Sequence, residues 1–237
     1  MSPAYFRRPE FLSIFALVVV VVGICTAQFQ ASAREYPARP LRLVVPYELG
    51  GPADRLARDI GARLGHELGQ TVIVENRGAA GVAAGARHVA EAVPDGYTLL
   101  LGSRASHVVK PITDPLGSGY DHVQDFTPLA AIGQQARVVA VDGPAGVSSE
   151  QPMGDHAIEG VPTWFGLFAP AGIPRDREAK LVGALQKVLD ERDLPASPAR
   201  LGVAPMRVAP WDFSSFLKRD LAEWQGVMRA ASLSGRS

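Results

Sequence analysis

The 237-residue sequence lacks several features that would indicate a specific chemistry. It has one cysteine, Cys25, so an intramolecular disulfide is excluded. Its 24 basic residues are balanced by 24 acidic ones, and only 20% of all residues are charged. Nucleic-acid-binding surfaces depend on a basic excess, so we expect no nucleic-acid partner.

Patterns typical of catalysis and metal binding are missing as well. The five histidines are scattered, and no pair stands at the spacing of metal ligands on a helix. There is no G-x-S-x-G run, and the neighbours Ser106 and His107 are adjacent in sequence, which does not place a base on a nucleophile. We therefore expect no metal, no cofactor and no enzymatic activity.

The N-terminus has the layout of an export signal. Arg7 and Arg8 precede an apolar stretch over residues 11–25, and Ala-Ser-Ala follows at 31–33. A positive start, a short apolar core and a small-x-small site are typical of a secretory signal peptide. We predict cleavage of residues 1–33, which removes Cys25. A membrane span needs about 20 apolar residues, and the stretch over 11–25 is shorter than that. An uncleaved membrane anchor at the N-terminus is the alternative.

Hydrophobic periodicity then predicts an α/β fold. Apolar β-branched runs alternate with stretches whose apolar residues recur at helical spacing. The predicted elements are a strand over 41–45, a helix over 53–68, a strand over 71–75, a helix over 79–92 and a strand over 97–101. Alternation with short connections indicates a parallel sheet with flanking helices and right-handed crossovers.

Beyond Ser103 the pattern becomes looser. We predict a surface connection over 104–127, strands over 128–133 and 137–142, a loop over 143–160, a strand over 162–170, and helices over 175–191 and 210–231. The last helix carries apolar residues in helical register, and we expect this stripe to pack on the first part of the fold. Its members are Phe213, Leu217, Leu221, Trp224 and Met228.

Two strand exits are candidate ligand-binding positions. After the first strand, Gly50 and Gly51 let backbone N–H groups approach a ligand, and Asp54 opens the following helix. After the third strand, Ser103 and Ser106 offer hydroxyl donors, and Arg104 adds charge. Open α/β sheets bind ligands at this edge. A tight turn with Asp54 starting the helix, and a polar exit with a solvated Arg104, are the alternatives.

Several motifs, occurring in order, resemble those of one receptor family. They are Tyr-Pro-Ala-Arg-Pro-Leu-Arg at 36–42, Val-Pro-Tyr at 45–47, Gly-Gly-Pro-Ala-Asp at 50–54, Val-Glu-Asn-Arg at 74–77, Pro-Asp-Gly-Tyr-Thr-Leu-Leu at 94–100, Asp-Phe-Thr-Pro-Leu at 125–129 and Trp-Phe-Gly-Leu-Phe-Ala-Pro-Ala-Gly at 164–172, with Pro174. The sequence is similar to the tripartite tricarboxylate transporter solute receptors, the Bug-type proteins, over residues 36–147 and 161–232.

The resemblance implies a fold, a location and a ligand class. It implies a two-lobed, type II periplasmic-binding-protein fold that closes on an organic carboxylate, a periplasmic location and delivery to membrane transporter subunits, with a monomeric receptor. The first lobe would comprise residues 34–103 with 203–237, and residues 104–202 a reduced second lobe and crossover. The implied ligand-binding residues are Tyr47, Gly50, Gly51, Asp54, Ser103 and Ser106.

The sequence departs from the family in one respect. After residues 147–149 the family continues with a long second-lobe segment, and here the chain reaches the Val-Pro-Thr-Trp run at 161–164 within a dozen residues. Much of one lobe and one wall of the cleft are therefore expected to be missing. Two alternatives follow: a degenerate or repurposed receptor that acts in protein interaction or sensing, and an enzyme on the same fold.

Overall fold

The computed structural model describes residues 35–114, 117–135, 163–191, 203–206, 208 and 210–234. Residues Met1–Ala38 form one unit, and Arg39–Ser237 form a second, which contains all the helices and strands described below. The predicted signal peptide, the predicted strand over 137–142 and the predicted loop over 143–160 lie outside the described residues. Those three predictions stay predictions.

Strands and helices alternate in the first part of the second unit, as the periodicity predicted. They are β1 (Leu41–Val45), α1 (Pro52–Leu68), β2 (Val72–Asn76), α2 (Val82–Ala90) and β3 (Thr98–Ser103). Strand β1 lies between β2 and β3 and pairs in parallel with both. The predicted stripe of α1, formed by Leu56, Ile60 and Leu64, is fully buried. Burying such a stripe is what holds an amphipathic helix on a sheet.

Glycines determine where the two helices begin and end. Helix α1 stops at Gly69, whose φ of 65° is left-handed and favours glycine. Helix α2 begins at Val82 rather than at the predicted position 79, because Gly81 donates to the Gly78 carbonyl in a turn at 2.8 Å and has a φ of 81°. A Cβ on Gly78 would lie 2.6 Å from the Tyr47 carbonyl carbon, so this turn packs directly on the loop after β1.

The surface connection predicted over 104–127 is partly wrong. The chain leaves β3 through a π-helical turn, Ala105–Val109, and continues into a short helix, α3 (Lys110–Thr113). Ser106, His107 and Val108 are buried in succession. Proline and glycine in this stretch indicated a solvent-exposed loop, but the π-helical turn directs consecutive side chains into the core.

Strands β4 (Phe126–Gln135), β5 (Thr163–Pro170) and β6 (Val203–Pro205) are antiparallel and extend the same sheet. The order is β2-β1-β3-β5-β4-β6. The strands predicted over 128–133 and 162–170 are therefore present, the first of them longer than predicted. Both lie in the range assigned to the second lobe, yet they join the sheet of the first. Residues 136–162 lie outside the described residues, and the division into lobes stays a prediction.

Helices α4 (Arg175–Asp190) and α5 (Pro210–Ser234) complete the described fold. On α5, Phe213 and Trp224 are buried, while Leu217 and Leu221 are half-buried. The helix packs on β4 and on the π-helical turn, and Phe213 lies over Gly166 of β5. The expected stripe thus contacts the antiparallel strands, and Phe213 and Trp224 share one buried hydrophobic cluster with Val44 of β1 and Leu100 of β3. Among the described residues, no helix has the length and apolar character needed to cross a membrane.

Candidate ligand-binding site

The two predicted strand exits meet at one edge of the sheet. Since β1 and β3 are parallel neighbours, the loop after β1 and the end of β3 lie side by side. The Tyr47 hydroxyl and the Ser103 hydroxyl form a hydrogen bond of 2.5 Å, although the two residues are 56 positions apart. Burial raises the pKa of Tyr47 to about 12, so the phenol keeps its proton. The structure therefore brings two predicted site residues together as neutral hydroxyl groups.

Ser106 lies beneath this pair, not beside it. Its side chain is fully buried, and its hydroxyl oxygen accepts the Ser103 N–H at 2.9 Å and lies 3.0 Å from the Ser103 carbonyl oxygen. The Tyr120 hydroxyl donates to the Ser106 carbonyl at 2.6 Å. In this arrangement Ser106 supports Ser103, and both serine side chains are fully buried.

Asp54 is held in a hydrogen-bond network of its own. One carboxylate oxygen accepts the Gly50 N–H at 2.9 Å and the Arg58 Nε–H at 3.0 Å, and the other accepts from Asn76 at 3.0 Å. Burial of Asp54 opposes ionisation, but the hydrogen bonds from Arg58, Gly50 and Asn76 outweigh it and hold the pKa of the carboxyl below its usual value. Asp54 therefore shapes the loop, and it occupies the Gly50 N–H that was a predicted ligand donor.

Helices α1 and α2 both begin at this edge without a side-chain cap. Gly51 is the N-cap of α1, Pro52 follows it, and no side chain caps the helix. Gly81 is the N-cap of α2, again without a side-chain cap. An uncapped helix N-terminus attracts an anion through its free N–H groups and its dipole. The turn over 78–81 was missed in the sequence, although two glycines directly after a strand are the same signal that marked Gly50 and Gly51.

The arginines around this edge are already engaged with other groups. Arg55 donates to the Gly50 carbonyl at 2.6 Å, Arg58 contacts Asp54 at 3.0 Å, and Arg77 contacts Glu75 at 2.5 Å. Arg104, whose alternative was a solvated side chain, instead forms two hydrogen bonds with Asp220 at 2.9 and 2.8 Å. A carboxylate at this edge would therefore meet mainly neutral donors.

Asp220 joins α5 to the end of β3. It accepts from Trp164 Nε1 at 2.7 Å in addition to Arg104, and its side chain is only 5% exposed. The Arg104 guanidinium also lies 5.7 Å from the ring centroid of Trp224. This pairing was missed in the sequence because no local pattern links positions 104 and 220.

Two shallow depressions lie at the opposite edge of the sheet, one of about 400 Å³ beside Gly61, Gly65 and Val72, and one of about 240 Å³ beside Arg39 and Tyr97. In the parts of the chain that the structure describes, no three histidine, cysteine or acidic side chains are grouped to hold a metal.

Residues 56–152 match the family model described as the tripartite tricarboxylate transporter family receptor. This part of the chain belongs to that family. BugT of Bordetella pertussis is 35% identical over 128 residues, which are 53% of this chain and 39% of BugT. A UPF0065 protein of Bordetella bronchiseptica is 33% identical over 178 residues, 72% of this chain and 50% of that protein. The chain thus spans half or less of these relatives.

Solved structures show the same fold. A periplasmic transporter superposes with a TM-score of 0.72 at 24% identity, covering 82% of this chain and 98% of that one. The R. palustris protein Rpa4515, solved with adipate, gives a TM-score of 0.72 at 20% identity, covering 84% and 99%. MatC of Rhodopseudomonas palustris, solved with malate, gives 0.65 at 24%, covering 81% and 99%. The α/β, periplasmic-binding-protein-like fold is confirmed.

Proposed function

We propose that this protein is an exported solute receptor that binds an organic carboxylate at the carboxyl edge of β1 and β3. The observation that carries the proposal is the Tyr47–Ser103 hydroxyl pair, which lies beside the uncapped N-termini of α1 and α2. Backbone N–H groups and hydroxyl groups are suitable donors to a carboxylate. Gly51 and Gly81 carry no side chain that would keep a ligand away from the backbone, and a Cβ on Gly81 would meet no atom within 4 Å.

The same proposal covers location and partners. The predicted signal peptide supports a periplasmic location, and the family match supports delivery of the acid to membrane transporter subunits. We expect a monomer that performs no catalysis. Malate and adipate are the first probes to test, because solved proteins of the same fold carry them.

Affinity should be low if the described half of the cleft acts alone. A helix dipole contributes about 0.3–2 kcal/mol toward an anion, and the engaged arginines add little. A small-molecule site usually buries about 70–90% of its ligand, and the cleft wall that the sequence is expected to lack would leave part of the ligand uncovered. Since a millimolar dissociation constant corresponds to about 4 kcal/mol, we expect millimolar binding or weaker.

Titration calorimetry with malate, adipate, citrate and aromatic acids tests this function. Ser103→Ala and Tyr47→Phe should each abolish a millimolar signal, because each removes one hydroxyl from the pair. Ser214→Ala, on the exposed face of α5, is the matched control and should leave binding unchanged. Micromolar affinity would contradict the expectation that half of the cleft acts alone. Equal effects of Ser103→Ala and Ser214→Ala on the affinity would contradict the location of the site.

One observation favours a second candidate, a repurposed receptor that acts in protein interaction or sensing. Ser103 and Ser106 are fully buried, and their polar groups form hydrogen bonds with each other and with Tyr47. These three residues therefore form a closed hydrogen-bond network without any ligand. Such a protein would bind none of the acids and would still contact a transporter or sensor subunit. Site-specific cross-linking in the native periplasm distinguishes the candidates, because only the second keeps a protein partner when every acid fails to bind.

A further inference from the structure

A buried histidine lies beneath the candidate site, and the proposed function does not explain it. His107, in the π-helical turn after β3, is 2% exposed. Its ring stacks on Phe168 with 3.9 Å between centroids and 17° between planes, and the Phe126 centroid is 4.8 Å away. A phenylalanine would fill this aromatic environment equally well, so the packing alone gives no reason for an imidazole.

The imidazole is distinguished by its contact with Ser106. His107 Nδ1 lies 2.8 Å from Ser106 Oγ, in a buried hydrogen bond. The same oxygen accepts the Ser103 N–H and lies within hydrogen-bond distance of the Ser103 carbonyl oxygen. One hydroxyl thus meets three groups and has a single proton to donate.

The other ring nitrogen decides which group donates. Nε2 of His107 is buried and has no hydrogen-bond partner among the described residues. If Ser106 donated to Nδ1, the ring proton would sit on Nε2 as a buried N–H without an acceptor, which is the costlier kind of orphan. If Nδ1–H donates to Ser106, the hydroxyl proton goes to the Ser103 carbonyl oxygen and every donor in the network is used.

The ring also stays neutral. Burial, with a smaller contribution from nearby His122, lowers the pKa of His107 to about 3, so it carries one proton at neutral pH. A neutral imidazole has one donor and one acceptor nitrogen, and the hydrogen bond at one of them selects the tautomer.

We propose that His107 is a positioning residue of the carboxylate site, present as the Nδ1–H tautomer. Its N–H donates to Ser106, whose hydroxyl then holds both backbone groups of Ser103 and keeps the Ser103 hydroxyl opposite Tyr47. The link to ligand binding rests on the proposed function, whereas the tautomer and the support of Ser103 can be measured without a ligand.

Two variants separate positioning from packing. His107→Phe keeps an aromatic ring against Phe168 and loses the donor, and His107→Asn keeps an amide donor near the position of Nδ1 and loses the ring. We measure amide hydrogen exchange at Ser103, with β1 amides as internal reference, and the free energy of unfolding. His107→Phe should raise the exchange rate of the Ser103 amide about tenfold or more, while the rates of the β1 amides stay unchanged. In His107→Asn the Ser103 rate should stay within about threefold of that in the unmodified protein.

The opposite order of the Ser103 exchange rates in the two variants would overturn the proposal. If Ser103 exchange in His107→Phe equals that of the unmodified protein, or if His107→Asn exchanges faster than His107→Phe after the global change is subtracted, His107 acts only through packing. Titration with malate and adipate adds the ligand: where either acid binds, His107→Phe should weaken it about tenfold and His107→Asn much less.

The tautomer is measured on the unmodified protein, which avoids any loss of folding in a variant. Nitrogen-15 spectra of the histidine rings should show His107 with a protonated Nδ1 and an unprotonated Nε2. The Nε2–H tautomer would overturn the assignment. If none of malate, adipate, citrate and the aromatic acids binds, the proposed function fails, and the exchange and tautomer results still decide the role of His107.

Discussion

The parallel and antiparallel halves of the sheet differ in how they are built and in what they carry. Strands β1 and β3 are aliphatic, with Leu41, Leu43 and Leu100 fully buried, and their loops hold the polar groups of the candidate site. The antiparallel half is aromatic, and Phe213 lies 5.4 Å from Phe168 and 5.9 Å from Trp164 between centroids. The candidate site therefore belongs to the parallel half. The aromatic packing that stabilises the residues beneath the site belongs to the antiparallel half.

Besides the pairing of β3 with β5, the side chains of Arg104 and His107 connect these halves. Arg104, directly after β3, pairs with Asp220 of α5, and His107 stacks on Phe168 of β5. If the two halves differ in this way, substitutions in the aromatic, antiparallel half should lower the free energy of unfolding most. Substitutions in the loops of the parallel half should lower it little but alter the candidate site.

The largest expected effect is the loss of an aromatic side chain from α5. Phe213→Ala and Trp224→Ala should each lower the free energy of unfolding by about 3–5 kcal/mol, because both side chains are buried. Chemical denaturation measures it. Val227→Ala, on a half-exposed side chain of the same helix, should stay within about 0.5 kcal/mol. A change below about 1 kcal/mol for Trp224→Ala would show that the helix does not hold the antiparallel half.

The next effect is the loss of the buried ion pair. Asp220→Asn leaves the Arg104 guanidinium buried without its partner charge, and we expect a loss of about 3 kcal/mol. Lys187→Met breaks the exposed pair with Glu67 and should cost less than about 1 kcal/mol. Similar losses in both variants, measured by denaturant titration, would mean that the Arg104–Asp220 pair adds no more than a surface contact.

Acid should destabilise the fold through its buried histidines. Burial lowers the pKa of His107 to about 3 and also lowers the pKa of His122, so the folded protein resists protonation where the unfolded chain takes up a proton. The contribution of His107 to the free energy of unfolding is then fully present above about pH 6.5 and falls as the pH drops toward 3, by at most about 1.4 kcal/mol per pH unit. Denaturation at several pH values should show a shallower fall in His107→Phe, and parallel curves would contradict this.

The smallest stability effect is expected in the loop after β1. Asp54→Asn removes the carboxylate that holds the Gly50 N–H, with an expected loss of about 1 kcal/mol because the Arg58 partner is half-exposed to solvent. Amide exchange at Gly50 should nevertheless rise clearly, while β4 amides stay protected. A global loss matching that of Phe213→Ala would place Asp54 in the core of the fold, contrary to the comparison.

Local patterns were sufficient for most of the elements. The four-residue spacing of Leu56, Ile60 and Leu64 predicted α1, and Gly69 predicted its end, because both are properties of the helix itself. The same reasoning failed after Ser103. Proline and glycine there indicated a surface loop, yet neighbouring aromatic strands bury Ser106 and His107, and a window of sequence does not contain those strands.

The candidate site shows the same division. The glycines and serines at the two strand exits are recognisable by residue type, so their place at the carboxyl edge could be predicted from the parallel sheet. Which donors stay free could not, because Asp54 takes the Gly50 N–H and Ser106 turns inward to Ser103. A ligand and the protein's own side chains compete for the same backbone and hydroxyl groups. Only the distances in the folded protein show which of these hydrogen bonds are made.

By itself, the sequence determined the α/β alternation, the positions of the two strand exits and the family motifs. These follow from periodicity, residue type and order along the chain. The tertiary structure alone decided that Tyr47 meets Ser103 across 56 positions and that Arg104 meets Asp220 across 116. Contacts at such separations depend on how the sheet and α5 pack in space, and no spacing within one element records that packing.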